Sequence, residues 1–248
     1  TSTGTVTLPD DIVHAGDTDT AIRFGDNTVT VEAGGSERLR IYQSKILKGL
    51  TSARGNYGNN TSGVEYGVQI EGTTALTSSI SLIRNSNDAN DGGIVLGKTR
   101  AASTGGNTVV QAGDDLGKLT FAGSDGTSLL FGAEIFAEVQ SGVGNDDLPT
   151  DLIFNTNSGT TSTTERLRIT SSGNLGLGIN APTAASSETA LHIYANEYPE
   201  VHLTSSVTGS NAGDGSIFTL NNDSSTIIRN QENSYIRFDT NGSNERMR

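Results

Sequence analysis

The chain has 248 residues, of which 33% are hydrophobic and 5% aromatic, and its formal net charge is −12. It contains no Cys, which excludes disulfides, thiolate metal sites and cysteine nucleophiles. The acidic balance argues against a nucleic-acid partner. No apolar run approaches the roughly 18 residues of a membrane span, so we expect no membrane insertion.

The supply of core-forming residues is small. Leu, Ile, Val and Phe together make up 56 of the 248 residues, about 23%, a fraction close to that of disordered chains. Two interpretations follow: a partly disordered chain, or an ordered one that shares its core with identical neighbours. Repeated alternation of β-branched residues, bounded by turn residues, favours the ordered chain.

Short alternating runs predict strands, each with one apolar face. In chain order they are residues 5–8, 21–24, 29–31, 80–82, 118–121, 152–154 and 235–238. Turn signals separate them, among them residues 34–35, 60–63, 91–93, 172–174 and 241–242. Because Gly, Ser, Thr and Asn are poor helix-interior residues, we expect little helix, and residues 187–194 are the best candidate.

One motif, Glu-Arg-x-Arg, occurs three times after a strand ending in Phe, which predicts one β-hairpin used three times. Its copies start 128 and 80 residues apart, a spacing too long and uneven for a solenoid. The hairpins therefore divide the chain into an N-terminal β shaft module (1–43), a central β module (44–183) and a truncated C-terminal β module (184–248). Because the chain begins without Met and the third copy stops at Arg248, we expect a piece of a longer protein.

The motif has a simple physical role in an extended strand. Leu and Ile would face one way and both Arg side chains the other, about 7 Å apart. Guanidinium groups suit pairing with carboxylates on a neighbouring strand or protomer. We therefore predict inter-strand or inter-protomer salt bridges at Glu37, Arg38, Arg40, Glu165, Arg166, Arg168, Glu245, Arg246 and Arg248. A receptor phosphate or carboxylate site is the alternative.

Catalytic patterns are hard to find. The sequence has no nucleophile elbow, phosphate loop or dinucleotide motif, and its three His residues, His14, His192 and His202, do not have metal-ligand spacing. Glu134 and Glu138 would share one face of a strand, as a glycosidase pair might require, but no Trp offers a sugar platform. We expect no enzymatic activity, cofactor or metal, with a polysaccharide depolymerase as the alternative.

Several segments carry a family resemblance. They are residues 8–24, 34–41, 111–119, 133–139, 147–169 and the Gly-Asn-Leu-Gly-Leu-Gly tail at 173–178. These resemble shaft units of tail fibres from marine bacteriophages, including cyanophages, and cover roughly half the chain. The resemblance implies a homotrimer that attaches a phage to its host. Such fibres often carry a C-terminal endosialidase-type intramolecular chaperone, of which this sequence has no visible counterpart.

The sequence therefore predicts an all-β, elongated homotrimeric fibre of short antiparallel strands and hairpins, with β-prism or β-sandwich-like modules around a threefold axis. Its expected partners are itself, other phage tail proteins and a host surface glycan or protein receptor, with the virion tail fibre as its extracellular location. Loop tips at 56–60 and 205–214 are candidate receptor contacts. A non-viral surface filament or adhesin stays open as a further interpretation.

Overall fold

The computed structural model describes residues 10–58, 65–185, 188–240 and 244–247, with the backbone alone at 239–240 and 244–246. All regular structure in these residues is β-strand, which confirms the all-β class. The described residues form two compact units: one from the described parts of 1–96, 120–132 and 159–162, the other from those of 97–119, 133–158 and 163–248. None of them forms a helix able to cross a membrane.

The first sheet is a six-stranded meander in which neighbours in sequence are neighbours in space. Its strands are β1 (Asp11–His14), β2 (Asp17–Gly25), β3 (Thr28–Ala33), β4 (Ser36–Tyr42), β5 (Lys45–Lys48) and β6 (Val68–Ile70). All pairs are antiparallel except β5 with β6. Gly34 and Gly35, with φ of 57° and 63°, form the tight turn between β3 and β4, a conformation that glycine adopts without steric cost.

The second sheet also has six strands, and two smaller sheets follow it. The six are β7 (Asp115–Ser124), β8 (Leu129–Val139), β9 (Thr150–Thr156), β10 (Thr164–Ile169), β11 (Leu175–Leu177) and β12 (Leu191–Ile193). The third sheet comprises β13 (Glu200–Leu203), β14 (Ser216–Leu220) and β15 (Thr226–Asn230), and the last one β16 (Phe238–Thr240) and β17 (Asn244–Met247). β11 and β12 pair in parallel, whereas β8 with β9, β9 with β10 and β10 with β11 pair antiparallel.

The repeated hairpin is present in two of its three predicted positions. In the second and third copies the preceding strand pairs directly with the motif strand, as β9 with β10 and β16 with β17. In the first copy the prediction is wrong, because β3 lies between β2 and β4. A turn with Asn27 at φ 55° reverses the chain after β2 and creates this extra strand.

Other local predictions also need correction. The predicted helix at 187–194 is wrong in its described part, since Leu191–Ile193 forms β12 and pairs with β11. Residues 80–82 form no strand, and of 235–238 only Phe238 belongs to one. The predicted strand at 5–8 and the turns at 60–63 and 241–242 lie outside the described residues. The division into three modules stays a prediction.

The chain buries little of its surface. Its accessible area is 17724 Å², whereas a compact monomer of 25.8 kDa exposes about 10,500 Å² by the usual mass scaling. Leu47, Val139 and Ile153 are the largest fully buried side chains of the described residues. A shortage of internal core, expected from the composition, is thus present in the folded chain.

Gly176 in β11 offers a test of the packing under the glycine-rich tail. A Cβ there would lie 2.6 Å from the Ile179 carbonyl oxygen and 3.0 Å from Pro182 Cγ, both rigid groups. We expect Gly176→Ala to lower the free energy of unfolding by about 1–3 kcal/mol through overpacking. In urea unfolding, Gly123→Ala in β7, where a Cβ meets open space, should stay within about 0.5 kcal/mol of the parent. Equal midpoints for both variants would contradict this packing.

Candidate assembly surface

The motif strand carries a β-bulge at its first arginine in all three copies. The pairing register skips Arg38 between β3 and β4, Arg166 between β9 and β10, and Arg246 between β16 and β17. A bulge places one extra residue in a strand and re-aims its side chains. The two arginines of a copy therefore do not form the common cationic row that regular alternation predicts.

In the first copy the two arginines have different partners. Arg40 binds Glu37 through two hydrogen bonds, Nε to Oε1 at 2.8 Å and Nη2 to Oε2 at 2.5 Å, and this interaction raises the pKa of Arg40. Exposed Arg38 instead donates from Nε to the Ala33 carbonyl oxygen at 2.9 Å. The bulge thus separates a strand-bracing arginine from one at the surface.

In the second copy Arg168 is buried among three carboxylates. Nη1 lies 2.7 Å from Asp151 Oδ2 and 3.2 Å from Glu138 Oε1, and Nη2 lies 2.8 Å from Glu165 Oε2. Its side chain is 9% exposed and that of Asp151 6%. The hydrogen bonds that Arg168 donates to Glu165, and then those to Asp151 and Glu138, raise the pKa of Arg168. One cation therefore ties together β8, β9 and β10.

The remaining motif residues are less constrained. Exposed Arg166 donates from Nε to Thr156 Oγ1 at 3.1 Å. Within the described part of the chain, neither Arg38 nor Arg166 contacts a carboxylate. Glu245 and Arg246 lie in β17, and Arg248 lies outside the described residues. Salt bridges between protomers at these positions stay a prediction.

The first sheet exposes its apolar face. One cross-strand row runs over five strands and consists of Phe24, Val29, Ile41, Ile46 and Val68. Phe24 is 40% exposed, Ile41 45% and Val68 60%. Sheets of soluble proteins usually pack such a face against a core. Here the apolar face of the first sheet is left largely exposed by the described chain.

The opposite, polar face of the first sheet is the covered one. Its corresponding row is Arg23, Thr30, Arg40, Leu47 and Gln69. Leu47 is fully buried and Gln69 is 4% exposed. The Gln69 amide accepts from the Arg54 backbone N–H at 2.8 Å and donates to the Arg54 carbonyl at 3.0 Å. The segment after β5 therefore packs on the polar side of the sheet.

The second sheet repeats this inversion. Arg168 and fully buried Ile153 are paired on its covered face. On the other face, Ile169 pairs with Leu152, and both side chains are 39% exposed. Leu177 in β11, which pairs with Leu167, is 43% exposed. Arg168 and its three carboxylate partners, which we call the arginine network, thus occupy the side of the sheet where an apolar core would ordinarily lie.

The third sheet shows the same arrangement a third time. Val201, Phe218 and Ile228 form one cross-strand row and are 39%, 51% and 54% exposed. Ile217 and Thr219, on the opposite face of β14, are buried. The exposed row borders an apolar groove of about 430 Å³ that is also lined by Leu191, Ile193 and Leu220. We call the exposed apolar faces of these three sheets the assembly surface.

The residues considered for catalysis have structural partners. Glu134, 7% exposed, accepts from Thr163 Oγ1 and lies 3.2 Å from Lys118 Nζ, and Glu138 binds Arg168. His192 Nδ1 accepts from the Thr183 backbone N–H at 3.2 Å. The described residues hold no cluster of three or more potential metal ligands. The sequence did not reveal that Glu138 belongs to the arginine network, because Glu138 and Arg168 are 30 residues apart and meet only through the strand register.

The candidate receptor loops are ordered where they are described. In the loop at 205–214, Gly209 N–H donates to the Ser205 carbonyl at 3.0 Å, and Asn211 donates to Asp214 Oδ2 from both its backbone and its side chain. Val207 at its tip is 94% exposed. Asn56 donates from Nδ2 to the Thr127 carbonyl at 2.8 Å, and residues 59–60 lie outside the described part.

No protein-family model matches the chain, and no curated protein matches it. Two solved structures are similar. One is the carboxy-terminal domain of the bacteriophage T5 L-shaped tail fibre with its intramolecular chaperone domain, with TM-score 0.51 and 14% identity over 79% of this chain and 58% of that chain. The other is that carboxy-terminal domain, with TM-score 0.49 and 13% identity over 73% and 81%. The likeness to the first, of which this chain spans little more than half, shows a shared fold.

Removing Arg168 should be far more damaging than removing its partner in the motif. Arg168→Ala leaves three carboxylates without their shared cation, and breaking such a buried pair costs about 3–5 kcal/mol. Arg166→Ala removes one exposed hydrogen bond, for which we expect a loss below about 1 kcal/mol. Chemical unfolding of the two variants measures the difference. If Arg168→Ala unfolds at the parent's denaturant concentration, the network does not hold the strands together.

Asp114 should make the chain sensitive to acid. Its carboxylate is bound by Arg100 at 2.7 Å and Lys98 at 2.6 Å, and these groups, with the Gln111 N–H, lower the pKa of Asp114. Because the folded-state pKa is depressed, the stabilisation is present above the unfolded-state pKa of about 3.9 and is lost as pH falls below it. We expect the urea concentration at the midpoint of unfolding to fall as the pH is lowered from 5 to 2.

The same titration on two variants identifies the source of this dependence. Asp114→Asn should show a smaller loss of stability across that pH range, since its side chain does not titrate. Asp115→Asn, which changes an exposed neighbour 3.7 Å from Lys118, should retain the parent's pH dependence. An unchanged pH dependence in Asp114→Asn would refute the assignment.

Proposed function

We propose that this chain is a structural part of a bacteriophage tail fibre, built from three copies of itself, that attaches the virion to its host. The observation that carries the proposal is the assembly surface, because three successive sheets cover their polar faces and expose their apolar ones. The fold shared with a T5 tail-fibre domain supports it. The sequence resemblance to tail fibres of marine phages supports it as well. We propose a marine phage on the basis of that resemblance alone.

Self-association accounts for the assembly surface energetically. Burying a Val, Leu, Ile or Phe side chain contributes about 1.5–3 kcal/mol relative to leaving it exposed. Identical copies carry the same apolar faces on each of the three sheets, so each face can be matched by its equivalent on another copy. A closed symmetric arrangement around an axis covers all these faces and leaves none for further association. Three copies around a threefold axis are the arrangement that we propose.

The arginine network has a complementary task in this arrangement. Since the apolar faces are directed to other copies, each sheet must be held rigid from its polar side. Arg40 and Arg168 do this by hydrogen-bonding to carboxylates on their own and neighbouring strands. Arg38 and Arg166, which have no carboxylate partner in the described chain, are the motif residues that we propose for salt bridges between protomers.

Attachment belongs to the loops. We place the contact with a host glycan or protein receptor at the ordered loop 205–214, whose flank forms a cleft of about 560 Å³ lined by both apolar and polar side chains, among them Leu203, Val207, Asn230 and Glu232. Other tail proteins of the phage would join the fibre at its ends. In this proposal the chain has no enzymatic role, and the two glutamates that would suit one are ion-paired with Lys118 and Arg168.

A charge on the assembly surface should prevent assembly. Phe218→Glu places identical carboxylates on facing copies in place of an apolar side chain, which adds repulsion and removes burial. Asn222→Glu adds the same charge in the turn after β14, away from the exposed row. In sedimentation equilibrium we expect the parent and Asn222→Glu at three times the 25.8 kDa chain mass, and Phe218→Glu at lower mass. A parent that sediments as a folded monomer would overturn the proposal.

A further inference from the structure

Residues 72–100 differ from every other stretch of the described chain. All of them are exposed, and none belongs to a strand. Yet this stretch contains two apolar runs, 80–83 and 94–96, in which Ile83 is 78% exposed, Ile94 69% and Val95 94%. Loops are ordinarily rich in polar and turn residues. These two runs instead have the composition of β-strands, although neither belongs to a sheet.

The two runs are connected by an ordered polar turn. Arg84 Nη1 and Nη2 bind the Asp88 carboxylate at 2.5 and 2.6 Å, and Nη1 also donates to the Asn90 carbonyl at 2.8 Å. Asp88 Oδ1 accepts from the Asn90 backbone N–H at 2.9 Å. A Cβ on Gly92 would lie 3.6 Å from Arg84 Cβ. The turn therefore brings the end of the first run close to the start of the second.

The backbone of both runs lacks partners in the described chain. No hydrogen bond from a backbone N–H or C=O of 80–83 or 94–96 joins them to each other or to another strand. Extended backbone with free donors and acceptors is a template for strand addition. An isolated two-stranded hairpin is marginally stable in water. The described residues of one chain do not supply the pairing that would make these runs strands.

Charge identifies the neighbour that fits. Residues 72–83 and 92–97 contain no charged side chain, whereas 18% of the whole chain is charged. Where identical segments meet, every charge would face its own copy at a cost. Within the turn at 84–91, Arg84 and Asp88 already neutralise each other, which leaves Asp91 as its one remaining charge. The runs are thus suited to lie against further copies of themselves.

We propose that runs 80–83 and 94–96 become β-strands only in the assembly, where run 80–83 of one copy forms backbone hydrogen bonds with run 94–96 of a neighbouring copy. This inference rests on the self-assembly proposed above and specifies one place where copies exchange main-chain hydrogen bonds. It also explains why residues 80–82 have the pattern of a strand but form none in one chain. The turn at 84–91 then faces solvent.

Hydrogen exchange of the parent protein tests this directly. In the trimer, the amides of 80–83 and 94–96 should exchange about a hundredfold or more slowly than those of the turn at 85–91, as amides in stable sheets do. Sedimentation of the same sample separates the two proposals. A trimer whose runs exchange as fast as the turn overturns this inference and leaves the assembly standing; a monomer overturns both.

A pair of charge variants gives an independent readout. Ile83→Asp places one carboxylate per copy within a paired run, and Asn87→Asp places the same charge in the turn. We expect amide exchange of 94–96 to accelerate at least about tenfold in Ile83→Asp, through loss of pairing, and to stay unchanged in Asn87→Asp. Equal exchange rates in the two variants would contradict pairing through these runs.

Discussion

The structure depends on one constraint. Other segments of the same chain pack against the polar faces of its sheets, and the apolar faces stay exposed. In an ordinary antiparallel sheet the apolar face supplies the core and water solvates the other. Here Leu47 and Ile153 lie fully buried on faces that also carry Arg40 and Arg168, while Phe24, Leu152 and Phe218 remain exposed. The described chain therefore has little core of its own, and we propose that association with further copies supplies the rest.

The bulged motif helps to fix the strand register on which this arrangement depends. By skipping one arginine in the pairing register, the bulge gives the two arginines of the first and second copies separate partners. Arg168 binds carboxylates from three strands and has a raised pKa, so it stays charged at every accessible pH. A buried cation of this kind is weak ground for net stability but a strong device for fixing register. Fixed register keeps the apolar rows aligned for a neighbouring copy.

The sequence predicted what depends on neighbours along the chain. Alternation located the strands at 21–24, 29–31 and 152–154, and the Gly34-Gly35 turn followed from glycine's freedom at positive φ. It did not predict the bulge, the Arg168–Glu138 contact or which face would be covered, since these depend on register and on loops that fold back. The helix expected at 187–194 was lost because pairing with β11 outweighs local propensity. Residues 80–82 have a strand's pattern, but their partner is absent from the single chain.

Above all, we propose that the exposed apolar faces are interfaces between copies. An electron cryo-microscopy reconstruction of the purified protein tests it most directly, because it shows the symmetry and the direction of each sheet face together. We predict threefold density in which Phe24, Leu152 and Phe218 point toward the shared axis and the loop at 205–214 points outward. Density in which these three side chains face solvent, or in which a single chain stands alone, would contradict the claim.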